Sequence, residues 1–237
     1  MKSLKLSLIL FVIVCSAACK KDALTNFNSN SPQAVHTVVI LGSSTAAGTG
    51  ATPPDSAWAA RVQAAVSKSG IKANFVNLAV GGYTTYEAAP SGYSVANRPA
   101  PDTAHNITKA LLYKPDLVIL NFPSNDIADG YSDDEILANY AAITHKLDSA
   151  KVQYIIFSTQ PRDFPDASER MRLKTINDKV IAVYPSRVND FLDQLSTSTY
   201  SINPIYSAGD GIHLNNAGHL LIANATLKNS VFVQVIH

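Results

Sequence analysis

The chain contains 237 residues, in which 19 Lys and Arg residues nearly balance 18 Asp and Glu residues. No run of like charge stands out, so the composition does not indicate a nucleic-acid-binding protein. Both cysteines, Cys15 and Cys19, lie close to the N-terminus, and the rest of the chain has no thiol for a disulfide, a metal site or a nucleophile.

Residues 1–18 have the pattern of a lipoprotein signal peptide. Two lysines precede an apolar run, Leu6–Val14, that is shorter than the roughly 20 residues needed to span a bilayer. Ser16-Ala17-Ala18-Cys19 resembles a bacterial lipobox, although Ser16 stands at the usual leucine position. We expect Cys19 to be lipidated and the protein to be exported. The alternative is an ordinary cleaved secretory signal with Cys19 as an incidental thiol.

The remaining chain divides into a tether and one domain. Residues 19–33 are rich in Lys, Asn, Ser and Thr and poor in apolar residues, which predicts a flexible tether. Residues 34–237 have a length suited to a single domain with a full core. We therefore expect contact with a membrane only through the N-terminal lipid.

Short apolar, β-branched runs alternate with longer segments of helical periodicity. The predicted strands are Thr37–Leu41, Phe75–Leu78, Leu117–Leu120, Tyr154–Phe157 and Val188–Phe191. This alternation is typical of an α/β fold in which helices cover both faces of a parallel sheet. The long polar loops after the strands would then lie at the edge where ligands bind in such sheets.

One helix is indicated more clearly than the others. Ser132 and Glu135 have the spacing of a capping box, and an apolar stripe follows. The stripe consists of Ile136, Tyr140, Ile143 and Leu147. Similar stripes predict further helices; they include Ile107 and Leu111, then Ile176, Val180 and Val183, then Leu220, Leu227 and Val231.

Two loops at the predicted ligand-binding edge contain groups suited to acyl transfer. Ser44 follows the first strand in the segment Gly42-Ser43-Ser44, where its hydroxyl would be presented at the start of a helix. Gly81-Gly82 follows the second strand, and a glycine N–H can donate to a developing oxyanion. Each segment alone is also compatible with an ordinary turn.

Two later segments supply an amide and a carboxylate–imidazole pair. Asn125 follows the third strand and could be a further oxyanion donor, while Asp126 could hold the loop through backbone bonds. Asp210 precedes His213 by three residues on a loop that enters the last helical segment. At this spacing the carboxylate can fix the tautomer of the imidazole, so that its other nitrogen accepts a proton from Ser44.

These four segments have the order and rough spacing of the sequence blocks of SGNH (GDSL-like) hydrolases, and the chain resembles that family across nearly all of residues 34–237. The resemblance implies a three-layer, flavodoxin-like α/β/α sandwich with a five-stranded parallel sheet. It also implies that Ser44 is the nucleophile, that Ser44, Gly82 and Asn125 form the oxyanion hole, and that Asp210 and His213 complete a catalytic triad.

Two positions depart from the family pattern, and several rival folds fit less well. Ser43 stands where the family usually has Asp, and Pro123 where it usually has Gly; neither replaces a reacting group. The nucleophile elbow of α/β-hydrolases is disfavoured because Ser44 follows the first strand and Asp210 lies close to His213. The glycine spacing also excludes a dinucleotide-binding fingerprint, and a phosphate-binding loop would need a lysine.

The sequence thus predicts a serine esterase that needs no metal and no organic cofactor. Acetyl esters of carbohydrates are the expected substrates, because an exported, tethered hydrolase without a long apolar lid fits them better than long-chain lipids. Lysophospholipase, arylesterase or thioesterase activity stays open, as does a noncatalytic carbohydrate-binding lipoprotein. Arg162, after the fourth strand, is a candidate for binding an anionic or sugar substrate, or else bonds to loop carbonyls.

Overall fold

A computed structural model of the protein describes residues 34–237. The predicted signal peptide, the tether and Cys19 lie outside the described residues. Within residues 34–237, no helix combines the length and the hydropathy that crossing a membrane requires.

A five-stranded sheet lies at the centre of the fold, and all its neighbouring strands are parallel. The strands are β1 (His36–Gly42), β2 (Ala73–Asn77), β3 (Leu117–Asn121), β4 (Gln153–Phe157) and β5 (Val188–Asn189). Their order across the sheet is β2-β1-β3-β4-β5, the flavodoxin-like order. The predicted parallel sheet is confirmed.

Helices cover both faces of this sheet. They are α1 (Ser44–Ala47), α2 (Trp58–Lys68), α3 (Thr85–Ala88), α4 (Ile107–Leu112), α5 (Ser124–Ala128), α6 (Asp133–Ser149), α7 (Ala167–Val183), α8 (Leu192–Leu195), α9 (Asn216–Lys228) and α10 (Ser230–Ile236). In β1, Val39 and Leu41 belong to a core with α4, α6 and α7, whereas Val38 and Ile40 belong to a second core with α2, α9 and α10. The predicted three-layer sandwich is therefore confirmed.

The clearest predicted helix, α6, has the expected cap and the expected buried face. The Ser132 hydroxyl accepts the backbone N–H of Glu135 at 3.2 Å, and the Glu135 carboxylate accepts the backbone N–H of Ser132 at 2.8 Å. The predicted stripe is fully buried against the sheet: Ile136, Tyr140, Ile143 and Leu147. The local capping box and the apolar periodicity both indicate the same helix, which explains why α6 could be predicted from the sequence.

The predicted last strand is too long. β5 ends at Asn189, two residues before the predicted end at Phe191. The Phe191 N–H donates to Ser158 Oγ at 2.9 Å, and Asp190 Oδ1 accepts the N–H of Leu192 at 3.3 Å. These side-chain acceptors replace the strand ladder and lead the backbone into α8.

Two predicted helical stripes are partly wrong. Val183 is 57% exposed and Leu220 is 43% exposed. The stripe that joined Leu220 to Val231 crosses a helix break, because Asn229 ends α9 and its side chain caps α10 by accepting the N–H of Val231 at 3.0 Å. Within α9 the buried positions are instead Gly218, His219, Ile222, Ala223 and Thr226.

The carboxyl ends of the strands define the edge on which the candidate site lies. Chain connections run outward in opposite directions from β1 and β3, so the boundary between these neighbours is the topological switch point where doubly wound sheets bind ligands. α1 starts just beyond β1, and α5 starts just beyond β3. Ser44 in α1 and Asn125 in α5 thereby lie at one edge, beyond the ends of adjacent strands.

Candidate active site

Asp210 and His213 form a local hydrogen-bonded pair. Asp210 Oδ2 lies 2.6 Å from His213 Nδ1, and Asp210 Oδ1 accepts the backbone N–H groups of Ile212 at 2.9 Å and of His213 at 2.8 Å. The backbone N–H of His213, the ring of His213 and the backbone N–H of Ile212 together hold the pKa of the Asp210 carboxyl well below its usual range. Asp210 is therefore ionised under all ordinary conditions.

This ionised carboxylate determines which nitrogen of His213 carries the proton. A carboxylate can only accept hydrogen bonds, so Nδ1 is the protonated nitrogen of the neutral ring. Nε2 is then left with a lone pair. The side chain of His213 is only 18% exposed, whereas that of Asp210 is 48% exposed. Asp210 is therefore the member of the pair that lies nearer to solvent.

Ser44 is the first residue of α1, and a glycine makes its position possible. A Cβ added to Gly42 would lie 2.6 Å from the Cβ of Ala46 and 2.9 Å from the carbonyl oxygen of Asn121, so only glycine permits the tight turn from β1 into α1. Ser44 is half-buried, and within residues 34–237 its hydroxyl makes no hydrogen bond to His213 or to any other group.

A buried glutamine links the Ser44 turn to the His213 loop. Thr45 Oγ1 donates to Gln160 Oε1, and Gln160 Nε2 donates to the carbonyl oxygen of Ile212 at 3.1 Å. Thr45 follows Ser44 directly, and Ile212 precedes His213 directly. One side chain from the loop after β4 thus connects the residues adjacent to the nucleophile candidate and the base candidate.

The loop after α1 also packs directly against the His213 loop. A Cβ added to Gly50 would lie 2.1 Å from the carbonyl oxygen of Leu214 and 3.2 Å from the Cβ of His213. In addition, the buried ring of His219 lies with Nε2 3.0 Å from the carbonyl oxygen of Thr49. Burial lowers the pKa of His219, so this ring is a neutral packing group. Together with Gln160, these contacts bring the first and last segments of the domain to one edge.

Unpaired backbone donors lie beside Ser44. A Cβ added to Gly81 would lie 3.8 Å from the Cβ of Ser44, so the loop after β2 reaches the nucleophile candidate. Gly82 has φ +87° and open space around its Cα. Across the described part of the chain, the N–H groups of Ser44 and Gly82 have no hydrogen-bond acceptor.

Asn125 lies next to this loop with both ends of its amide bonded. Its Nδ2 donates to the carbonyl oxygen of Tyr83 at 3.0 Å, and its Oδ1 accepts a bond from Arg162 Nη1 at 3.2 Å. An amide nitrogen has two protons, so one N–H of Asn125 stays available. Arg162 therefore lies at the site edge, but its partner is a side-chain amide and not the loop carbonyls that the sequence allowed as its alternative.

Asp126 holds the loop after β3 in place through a bond to the backbone, as the sequence suggested. Its fully buried carboxylate accepts the backbone N–H of Thr85 at 3.0 Å and the Thr85 hydroxyl at 2.5 Å. Burial raises the pKa of Asp126 to about 7 despite these donors. The contact ties α5, which carries Asn125, to the start of α3.

The two departures from the family pattern have backbone roles. Ser43 is buried and extended, its side chain makes no capping bond, and its N–H donates to the carbonyl oxygen of Asn121 at 3.3 Å. Pro123 precedes α5, where its carbonyl oxygen accepts the N–H of Ile127 at 3.3 Å. Neither Ser43 nor Pro123 supplies a side-chain group for the reaction.

Among residues 34–237, no cluster of three or more His, Cys, Asp or Glu side chains is arranged to hold a metal ion. The polar groups at the edge are instead a hydroxyl, a carboxylate-bound imidazole and unpaired N–H donors. A doubly wound sheet with such a set of groups is the arrangement of an esterase or acylhydrolase.

The chain belongs to the GDSL-like lipase/acylhydrolase family, whose model matches residues 40–221. A search of curated proteins gives no match. Among solved structures, a lipase/acylhydrolase from Enterococcus faecalis is 19% identical with a TM-score of 0.63, and the match covers 83% of this chain and 95% of that one.

Two further solved structures are similar to the same extent. The psychrotrophic esterase EstA from Pseudoalteromonas, solved with monoethylphosphonate as inhibitor, is 17% identical with a TM-score of 0.60, covering 82% of this chain and 96% of that one. The acetyl xylan esterase AlAXEase is 17% identical with a TM-score of 0.60, covering 82% and 99%. At these identities the similarity shows the fold alone.

Proposed function

We propose that this protein is an exported serine esterase that removes acetyl groups from carbohydrates. The observation that carries the proposal is the set of groups at one edge of the sheet: a half-buried hydroxyl, an imidazole oriented by a carboxylate, and three N–H donors without acceptors. These are the nucleophile, base and oxyanion donors that ester hydrolysis needs.

In the proposed acylation step, His213 Nε2 takes the proton of Ser44 while Ser44 Oγ attacks the ester carbonyl carbon. The resulting oxyanion accepts bonds from the N–H groups of Ser44 and Gly82 and from the free N–H of Asn125. Asp210 stabilises the imidazolium. The intermediate then collapses, the C–O bond to the alcohol breaks, and the alcohol leaves with the proton from His213.

Deacylation repeats these steps with water. His213 Nε2 takes a proton from the water as its oxygen attacks the acyl-Ser44 carbonyl carbon, and the same donors stabilise the second oxyanion. Collapse breaks the bond to Ser44 Oγ, which recovers its proton from His213, and acetate is released.

The proposal of a carbohydrate ester rests on the surroundings of His213. A groove of about 460 Å³ lies beside the His213 loop, and Thr52, Ser207 and Asn216 contribute polar side chains to it. Sugars present hydroxyl groups that need hydrogen-bond partners, and the hydroxyls of Thr52 and Ser207 can serve as such partners, whereas the Asn216 amide is already bonded to the backbone of Thr52. The family membership and an acetyl xylan esterase of the same fold are compatible with this choice.

The function is tested by measuring acetate release from acetylated xylan, acetylated glucomannan and acetylated amino-sugar oligomers. Aryl esters of increasing acyl length, a thioester and a lysophospholipid are measured in parallel. We expect turnover to be highest for the acetyl esters and to fall as the acyl chain lengthens. A preference for long acyl chains or for the thioester would contradict the substrate proposal, and binding of glycans without any turnover would contradict the enzymatic one.

Activity should rise from acidic to neutral pH, because an imidazolium cannot accept the proton of Ser44. Asp210 does not contribute to this change, since its carboxyl has a pKa well below the usual range. The folded fraction is measured at each pH, because burial lowers the pKa of His219 and its protonation removes stability as pH falls. The pKa of Asp126 is raised to about 7, so its ionisation removes stability as pH rises and not as pH falls. A flat kcat/KM between pH 5 and 8, roughly the range in which histidines titrate, would contradict the role of His213.

We also propose export with a lipid on Cys19, based on the N-terminal pattern. Membrane fractionation of a Cys19→Ala variant tests the anchor. A variant that stays in the membrane fraction as the parent protein does would contradict it.

A further inference from the structure

A hydrogen-bond donor at one end and an acceptor at the other hold the amide of Asn125 in one of its two orientations. Arg162 Nη1 donates to Oδ1 at 3.2 Å, and the carbonyl oxygen of Tyr83 accepts from Nδ2 at 3.0 Å. Rotating the amide by half a turn would place its NH₂ against a guanidinium and its oxygen against a carbonyl. Both contacts would then be repulsive, so Arg162 and Tyr83 together select the orientation that offers an N–H to the site.

Arg162 is itself held in place. Its guanidinium lies over the ring of Phe164, 5.0 Å from the ring centroid. The neighbouring residues in the loop after β4 are bonded to the His213 loop: Gln160 donates to Ile212, and the Asp163 N–H donates to the carbonyl oxygen of Gly211 at 2.8 Å. The loop that carries Arg162 is thus attached to the same edge as the base candidate.

We propose that Arg162 is a positioning residue, which fixes and polarises the Asn125 amide so that its free N–H stabilises the oxyanion. This inference rests on the proposed function. A cation bonded to an amide oxygen draws electron density from the amide nitrogen and strengthens its N–H as a donor. The benefit is largest when the carbonyl oxygen of the substrate has become negatively charged, which occurs in the transition state and not in the bound ester.

A contribution limited to the transition state lowers kcat without changing KM when it is lost. In Arg162→Met, we expect kcat for a neutral aryl acetate to fall by about 10- to 100-fold, the range for losing a hydrogen bond to a charged group. KM should stay within about twofold. Arg162→Lys retains the charge but not the planar guanidinium and should recover part of the loss.

Arg187 offers a matched control at the opposite edge of the sheet. It also lies over an aromatic ring, 4.8 Å from the centroid of Tyr154, and it also donates to a side-chain amide oxygen, Gln153 Oε1 at 2.5 Å. Gln153 is the first residue of β4, so this pair lies at the amino edge, away from the site. Arg187→Met should leave kcat unchanged. Thermal unfolding of all variants shows whether any loss of activity comes from unfolding.

A double-mutant cycle provides the decisive comparison. If Arg162 acts through Asn125, then Arg162→Met should change kcat by no more than about twofold in an Asn125→Ala background. An equally large effect in both backgrounds would overturn the inference. Succinate monoesters distinguish substrate binding: a raised KM for the anionic ester, with normal kcat for the neutral one, would make Arg162 an anion-binding residue and also overturn it.

The outcome for the parent protein separates the two proposals. If the parent protein hydrolyses neither the aryl acetate nor acetylated glycans, the proposed function fails, and this inference fails with it. If the parent protein is active and Arg162→Met has its full kcat, only the role of Arg162 is wrong.

Discussion

Ser44→Ala is expected to lower kcat/KM for a small aryl acetate by about 10⁴- to 10⁶-fold, leaving only what the remaining oxyanion donors contribute to attack by water. The reason is that the proposed mechanism forms the acyl bond on Ser44 Oγ, which this substitution removes. The neighbouring hydroxyl of Ser43 is buried before the start of α1, and residues 34–237 contain no cysteine. The measurement is the initial rate of ester hydrolysis at neutral pH.

Ser43→Ala is the matched control, because it removes the adjacent hydroxyl and leaves Ser44 in place. The Ser43 side chain makes no capping bond, so this variant should keep most of its activity. An organophosphonate should add its mass to the peptide that contains Ser44 in the parent protein and in Ser43→Ala, but not in Ser44→Ala. Activity retained in Ser44→Ala, or labelling at another residue, would disprove the nucleophile assignment.

Much of the fold could be predicted because local signals and burial agree. β1 and β3 are covered on both faces, so they appear in the sequence as continuous apolar runs. The capping box of Ser132 and Glu135 is local in sequence and is present in the structure. The bond between Asp210 and His213 spans three residues and is equally local, so its geometry followed from spacing alone.

The contacts that connect the candidate site could not be predicted in the same way. The sequence left two alternatives for Arg162 and assigned no role to Gln160, because their partners lie far along the chain. Gln160 bonds to Thr45 and Ile212, and Arg162 bonds to Asn125. The only available signal was that both residues follow a strand on the ligand-binding edge. Tertiary placement, and not the residue types, determines their partners.

The errors in the helical regions have a similar origin. Periodicity identified an apolar stripe from Leu220 to Val231, but it could not reveal that Asn229 ends one helix and caps the next. The break at Asn229 separates Leu220, which is exposed in α9, from Val231, which is buried in α10. Asn229 followed by Ser230 is a helix-cap signal at this boundary.

His213→Ala should reduce turnover about as much as Ser44→Ala, by roughly 10⁴- to 10⁶-fold, because a serine hydroxyl without a base is a poor nucleophile. Phosphonylation of Ser44 should slow in parallel. The small residual rate should no longer rise between pH 5 and 8, roughly the range in which histidines in general titrate, since the imidazole that accepts the proton has been removed. His145→Ala, on the exposed side of α6, is the control and should behave as the parent protein does.

Combining the two substitutions tests whether Ser44 and His213 act as one unit. The structure joins their segments through Gln160, which contacts Thr45 beside Ser44 and Ile212 beside His213. If His213 serves only to activate Ser44, the double variant should be no slower than either single variant, because the second substitution removes a function that is already lost. A double variant slower by the product of the two single effects would mean that each residue supports catalysis independently, which is incompatible with proton transfer between them.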